Sequence, residues 1–301
     1  MMPAFNHVWH NELLQQVQSS PFLLYSLLSI SSLHIAALGP TNADSYALLA
    51  CAYQTKASAL FRRHVGGVAE QNGLEILAFC VIVSMFNFYI YIHECRSMGK
   101  PATVEVFEIL HALRSGAILL ERYLYDLRKH RTLKMILGRL WYEHPTLDAD
   151  DDAALEALDD VGQWVQSIDP ESCGSLRSLD ILRQTVTHFS SRPKGWLHVV
   201  FWPSAVPQEY LDELKEERPA AVVIFIYWCA VLSNAPSTWF MDGWAQTAAS
   251  HYMGRLRSPF GDLLAWPRSQ FRKQKVSLIQ DSDILTPQSM YMDLHVSFNA
   301  S

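Results

Sequence analysis

Apolar residues recur along this chain at spacings of three and four, with Leu, Ala and Ser repeating at helical intervals. That periodicity turns one face of each segment toward a core and favours helices over strands. It predicts helices over about 12–18, 21–38, 43–66, 72–95, 104–130, 133–142, 151–168, 173–190, 207–216, 219–232, 239–257 and 258–264. Asn72 and Thr103 stand where a short polar side chain can accept from the N–H groups that a first helical turn leaves unpaired. The expected fold class is all-α, a single large helical domain of about ten to twelve helices around an apolar ligand pocket.

Breaks in the pattern are few. Thirteen glycines and fourteen prolines are sparse for 301 residues, and no repeat of fixed period or low-complexity tract intervenes. Residues 145–152 form the most loop-like internal stretch, an acidic connector between halves of similar apolar content. The chain is therefore read as one domain over 1–267 followed by a polar tail over 268–301, with a short extended piece available at Val276 to Ile279. The apolar run 74–92 approaches membrane-spanning length, but Glu75, Ser84 and Asn87 interrupt it and no second span exists. A buried central helix is expected there, with no membrane span.

Composition narrows the function classes. With 50% hydrophobic residues the chain can fill a substantial core and fold alone. The formal charge of -6 argues against a nucleic-acid footprint, which needs clustered Lys and Arg to displace phosphate counterions; the basic clusters 128–131 and 268–275 are short. Cys51, Cys80, Cys95, Cys173 and Cys229 make an odd count without Cys-x-x-Cys spacing, mostly in apolar helical stretches. They are expected to be reduced core thiols of an intracellular protein, cytoplasmic or nuclear. The first ten residues lack a basic region followed by an apolar one, so no secretory leader is expected.

Residues 218–267 concentrate the candidate chemistry. Arg218-Pro219 opens an apolar run, Ala220 to Leu232, and four of the nine tryptophans fall within these fifty residues. Large rigid rings gathered at helix ends shape apolar cavities. The candidate ligand-binding residues are Phe86, Asn87, Tyr89, Trp228, Trp239, Met241 and Trp244, aromatic or amphipathic side chains on apolar helices; the alternative for each is ordinary core.

Pro21-Phe-Leu-Leu-Tyr-Ser-Leu-Leu-Ser-Ile-Ser-Ser-Leu-His34, then Tyr53-Gln54, Ala57 and Leu60-Phe61-Arg62, are followed by Leu113-Arg114-Ser115-Gly116, by Arg218-Pro219 to Trp244, and by Leu264 to Pro267. In order and spacing this series resembles the regulatory domain of fungal zinc-cluster transcription factors, within them the subgroup typified by the sterol uptake control protein. The resemblance spans most of the chain. It implies an all-helical fold with a hydrophobic ligand pocket, which in the sterol-responsive members receives a sterol. Members carry, ahead of this domain, a basic module whose six cysteines bind two zinc ions and which reads DNA. This sequence has no such module, so no direct nucleic-acid partner is expected. Tyr227-Trp228 stands where related sequences often have His followed by Tyr, which implies a rebuilt cavity wall if a wall lies there.

Asp148-Ala-Asp150-Asp151-Asp152 invites comparison with the aspartate-rich magnesium motif of terpene cyclases. That motif belongs on a helix facing a cavity, with a second metal site downstream, whereas this run follows Pro145 and is expected to cap the next helix. Twelve histidines include no His-Glu-x-x-His and no pairing with cysteine, so no metal is expected. His93-Glu94 could shuttle protons at the mouth of a cavity or simply end a helix. His34 and His251 sit among apolar residues and are expected to be satisfied core histidines before catalysts. Gly66-Gly67 and Asn72-Gly73 bracket a turn without a phosphate-loop fingerprint, and no Gly-x-Ser-x-Gly elbow exists. No cofactor is expected, and His93, Tyr227 and His251 remain the catalytic candidates.

Two functions from different classes follow. One is a regulatory domain or co-regulator that senses a sterol-like ligand. The other is a cofactor-independent enzyme of secondary metabolism that binds a terpenoid or polyketide and steers a non-redox dehydration, isomerisation or pericyclic cycloaddition, of the hetero-Diels-Alder type. Such steps need a shaped pocket, one or two proton donors and exclusion of water. The enzyme is favoured, because a chain starting at Met1 without the zinc cluster is not expected to act on DNA alone. The partners expected are a hydrophobic small molecule and, as a candidate assembly, a second copy in a homodimer.

Overall fold

The computed structural model describes residues 14–65, 73–98, 106–107, 109–114, 146–256 and 260–273. Among the described residues every regular element is a helix, as the periodicity predicts.

Four helices build an N-terminal layer: α1 (Leu14–Val17), α2 (Pro21–Ala37), α3 (Ala43–Val65) and α4 (Gly73–Met98). Pro21 opens α2 at a position where its missing N–H costs nothing. The chain turns back at Gly39, whose φ of 70° is a left-handed conformation that glycine adopts without a Cβ clash. α2 and α3 then run antiparallel, in a register fixed by the Ser29 hydroxyl donating to the Ala50 carbonyl at 2.9 Å. Both helices enclose a small core with α4, in which the Phe61 and Phe79 rings stack 3.9 Å apart and Phe22 meets each edge-on.

α4 leaves that core for a second, larger one. Phe79 and Ile82 belong to the first, Phe88 and Tyr91 to the second. This explains the apolar run over 74–92: the helix is covered by different partners along its length. Among the described residues no helix is long and apolar enough to cross a membrane.

The second core is organised around α9 (Pro219–Ser233), in which every residue from Ala220 to Ser233 is buried. Around it pack α5 (Ala149–Ile168), α6 (Cys173–Phe189), α7 (Trp196–Ala205), α8 (Gln208–Lys215) and α10 (Trp244–Arg255). A helix without a polar face must be surrounded, and these neighbours supply the enclosure. Two of the polar groups that enter it are paired: the Tyr210 hydroxyl donates to the Ala221 carbonyl at 3.0 Å, and the Trp202 indole N–H to the Ser178 carbonyl at 2.7 Å. Gly174 lets α6 approach α8, since a Cβ there would lie 2.7 Å from the Tyr210 backbone nitrogen. Beside it the buried Glu213 carboxylate accepts from the Ser172 and Ser175 hydroxyls at 2.9 and 2.5 Å. Arg114 ties the helical segment 109–114 to the α7–α8 turn, donating to the Val206 carbonyl at 2.9 Å and to Gln208 at 3.1 Å.

Several expectations are corrected. The periodicity predicts no helix between α6 and α8, yet α7 forms there with Pro203 in its last turns. The helix expected from Trp239 starts only at Trp244. Residues 239–243 make a turn in which the Thr238 carbonyl accepts from the Met241 and Asp242 N–H groups, and Gly243, with φ of 75°, redirects the chain. In place of a helix over 258–264, residues 261–264 form turns and a helix, α11, covers 265–273. It runs through Pro267, and its Gln270 is buried. Cys173 is exposed, whereas Cys229 is fully buried, so the thiols are not uniformly core. The predicted helix 133–142, most of 104–130, the caps Asn72 and Thr103, and the piece Val276 to Ile279 lie outside the described residues.

Candidate functional site

The candidate residues separate into two groups. Trp228 and Trp244 are completely buried in the second core. Trp228 stacks on Trp202 with centroids 5.3 Å apart and meets Trp244 edge-on at 5.6 Å; Trp244 in turn takes the edges of Phe88 and Tyr91 at 5.2 and 5.8 Å. Offset and edge-to-face arrangements at these distances are how aromatic rings pack on one another. Both tryptophans are thus packed into the core against other rings. The Trp244 indole N–H has no acceptor among the described residues.

Tyr227 belongs with them. Its ring stacks on Trp266 at 5.6 Å, and its hydroxyl donates to the Leu263 carbonyl at 2.6 Å. Burial, reinforced by the Asp160 carboxylate, pushes its phenol well above the ordinary value. A hydroxyl so held and so reluctant to ionise is a fastening between α9 and the turn before α11. His251 lies elsewhere, half-buried on α10, with its Nε2 3.3 Å from the Arg255 guanidinium. Arg255 pairs with Glu217 at 3.0 Å. Burial and the Arg255 charge, opposed by Glu217, lower the His251 pKa. Tyr227 and His251 serve separate contacts. His93 lies on α4, and its side chain is outside the described residues.

Phe86, Tyr89 and Trp239 do come together. Phe86 sits with Leu33 and Ala50 in a third small cluster, against which Tyr89 and Trp239 pack; the same two rings also pack on the second core. They mark the seam where the N-terminal layer meets the α9 assembly. Trp239 lies 4.8 Å from the His34 ring at 33°, and 5.7 Å from Tyr89. His34 is exposed, which corrects the expectation of a core histidine, while Asn87, Tyr89 and Trp239 are half-buried. Met241 follows on the same turn and lines a shallow hollow with Leu232, Thr238, Asp242 and Gln246. The volume of that hollow, about 30 Å³, is room for a water or two and far below the size of an apolar ligand.

His34, expected from the sequence to be a core histidine, lies instead on the surface beside Trp239. Its signal was its position in α2: neighbours three and four residues away, Ser31 and Leu38, are exposed as well, placing His34 toward the outer face.

The aspartate run is fully assigned to structure. Asp148 caps α5 in a reciprocal box with Asp151 and pairs with Arg192; Asp150 is 3.4 Å from Arg192 and 3.5 Å from Lys273. Asp151 is buried, its Oδ1 accepting from the Ser190 hydroxyl at 2.8 Å and from the Ser191 N–H and hydroxyl, both at 2.7 Å. Burial alone would raise its pKa, but the Ser191, Ser190 and Asp148 donors outweigh it and hold the carboxyl below its usual value. The expected helix cap is what the run forms. Among the described residues no cluster of His, Cys, Asp and Glu could hold a metal. No protein-family model, curated protein or solved structure matches this chain.

Proposed function

We propose that this protein binds a hydrophobic small molecule, a terpenoid, polyketide or sterol-like compound, at the seam of His34, Tyr89 and Trp239. The observation that carries this is the pair of half-buried rings, Tyr89 and Trp239, shared by two cores and open beside an exposed imidazole. Amphipathic rings with one wet edge are the usual lining of an apolar site. The 239–243 turn carries Trp239 and Met241, so a swing of this short segment would open space under the indole ring and join it to the Met241 hollow.

Within that reading the protein acts as a cofactor-independent enzyme for a non-redox dehydration, isomerisation or hetero-Diels-Alder cycloaddition. The seam holds a ligand in one pose, and His34 and Tyr89 supply hydrogen bonds to oxygen atoms that gain charge during the reaction. These two replace Tyr227 and His251 as donors. The alternative is a ligand-sensing regulatory domain, which the resemblance to fungal zinc-cluster factors favours and which needs binding without turnover.

The purified protein, incubated with extract from a strain lacking its gene and followed by mass spectrometry, distinguishes them. A new product of equal mass, or one water lighter, supports the enzyme; a compound retained unchanged supports the sensor. If nothing is retained, or if Trp239→Ala retains as much as the native chain, the seam is not the site.

A further inference from the structure

The outer face of α2 carries a second pattern that neither core uses. Leu24, Leu28, Ser31, Ile35 and Leu38 follow one another at spacings of four, three, four and three, and all five are exposed. That is the spacing of a coiled-coil seam, in which alternate positions meet a partner helix. The other face of α2 is already buried, through Phe22, Leu23, Ser26, Ser29 and Leu33. The exposed leucines and isoleucine are large: Leu38 is 72% accessible, and Leu24, Leu28 and Ile35 are between 37% and 40%. On α3, the helix packed against α2, Leu48 and Leu49 are exposed as well, at 73% and 40%.

We propose that this face is a docking surface for the same face of a second copy, with the two α2 helices antiparallel about a two-fold axis. Three features select a second copy. The helix contains no Asp, Glu, Lys or Arg, so nothing on it asks for an oppositely charged partner, and no like charges meet when it faces itself. In an antiparallel coiled coil the two kinds of seam position face each other, and here that pairs Leu24 with Ile35 of the other copy and Leu28 with Ser31. The axis then falls near the middle of α2, between Ser29 and Ile30, so the helices overlap over their full length, and every contact is made twice, as a two-fold interface requires. The apolar strip offers on the order of 500 Å² from each copy, at the lower end of areas that give specific association. The dimer is therefore weak and concentration-dependent, with Ser31 leaving space for Leu28 at the crossing.

Sedimentation equilibrium of the full chain over a hundredfold range of concentration tests this. Dimer is expected to accumulate in the micromolar range, and Leu24→Glu or Ile35→Lys alone to weaken it at least tenfold, with far-UV circular dichroism unchanged because both positions are exposed. The double variant L24E/I35K regains dimer: each introduced carboxylate then faces an introduced ammonium across the axis. In a parallel pair the same double variant would set like charges opposite each other and stay monomeric. A native chain that is monomeric throughout overturns the proposal, as does a dimer indifferent to Leu24→Glu and Ile35→Lys, or a double variant that does not recover.

Discussion

The indole of Trp239 lies across the imidazole of His34, ring centroids 4.8 Å apart, and so joins the turn before α10 to the outer part of α2. The two residues are far apart in sequence, one on the N-terminal helices and one on the turn before α10, so the contact reports whether these parts are docked.

Replacing Trp239 with Ala removes this link and the contact with Tyr89 while leaving both cores filled. Because the ring is half-buried, the expected loss is about 1–2 kcal/mol, below the cost of deleting a core aromatic. Urea titration measures it, and ligand retention should fall in a variant that remains folded.

Trp228→Ala and Trp244→Ala are expected to behave differently. Each leaves a void among tightly packed rings, at a cost of about 3–5 kcal/mol, which lowers the thermal midpoint strongly and can prevent soluble expression. Trp244→Phe should be milder than Trp228→Phe, since it also removes a buried indole N–H that has no acceptor among the described residues. Equal thermal midpoints for the two Phe variants would contradict this.

Tyr227→Phe removes one hydrogen bond, to the Leu263 carbonyl, and keeps the stacking on Trp266. Stability should drop by about 1–2 kcal/mol through the orphaned carbonyl. Turnover of any substrate should be unchanged; a large loss of rate in the folded variant would restore Tyr227 to the catalytic machinery.

Acidification should weaken the fold in two stages. His198 and His251 are held below their ordinary pKa, His198 by burial and then by the Lys194 charge, so the unfolded chain binds protons first and stability falls as pH drops through about 6.5. Asp151 is also lowered, so its contribution is intact above about pH 4 and is lost as pH falls further, toward its folded pKa. Asp151→Asn should flatten the second stage and leave the first, measured as denaturation midpoints from pH 7 to pH 3.

Gly174→Ala places a methyl group against backbone of α8, at 2.7 Å from the Tyr210 nitrogen and 2.9 Å from the Glu209 carbonyl carbon. Backbone cannot give way as a side chain does. A loss of about 1–3 kcal/mol is expected, in spite of the higher helix propensity of Ala. Gly162→Ala, which meets only the end of the Leu179 side chain at 3.4 Å, is the control and should be neutral or stabilising.

The all-α class and several helix bounds were legible because their signals are local. α2, α6, α8 and α9 begin and end within a residue or two of the sequence pattern, two of them opened by proline at the first helical position. The acidic run announced its cap through Asp148. α7 was hidden because prolines on either side and within it read as breaks, while its stability comes from Trp202 buried against α6, a tertiary contact. The site was hidden for a related reason. α9 is buried on all sides, so its apolar run has no face to read, and Tyr227 and Trp228 look the same whether they line a pocket or fill a core. Only a neighbour distant in sequence distinguishes the two, as Trp266 does for Tyr227 and His34 for Trp239.

The burial of α9 on every side also bears on how the chain is made. A ribosome that has just added Ser233 carries a greasy segment whose covers on one side, α10 and α11, are not yet translated. At roughly 5–20 residues per second, the forty residues from there to the end of α11 take about 2–8 s. During that interval α5 to α8 are the neighbours available to α9, and its apolar surface on the other side is completed by chain still to be made.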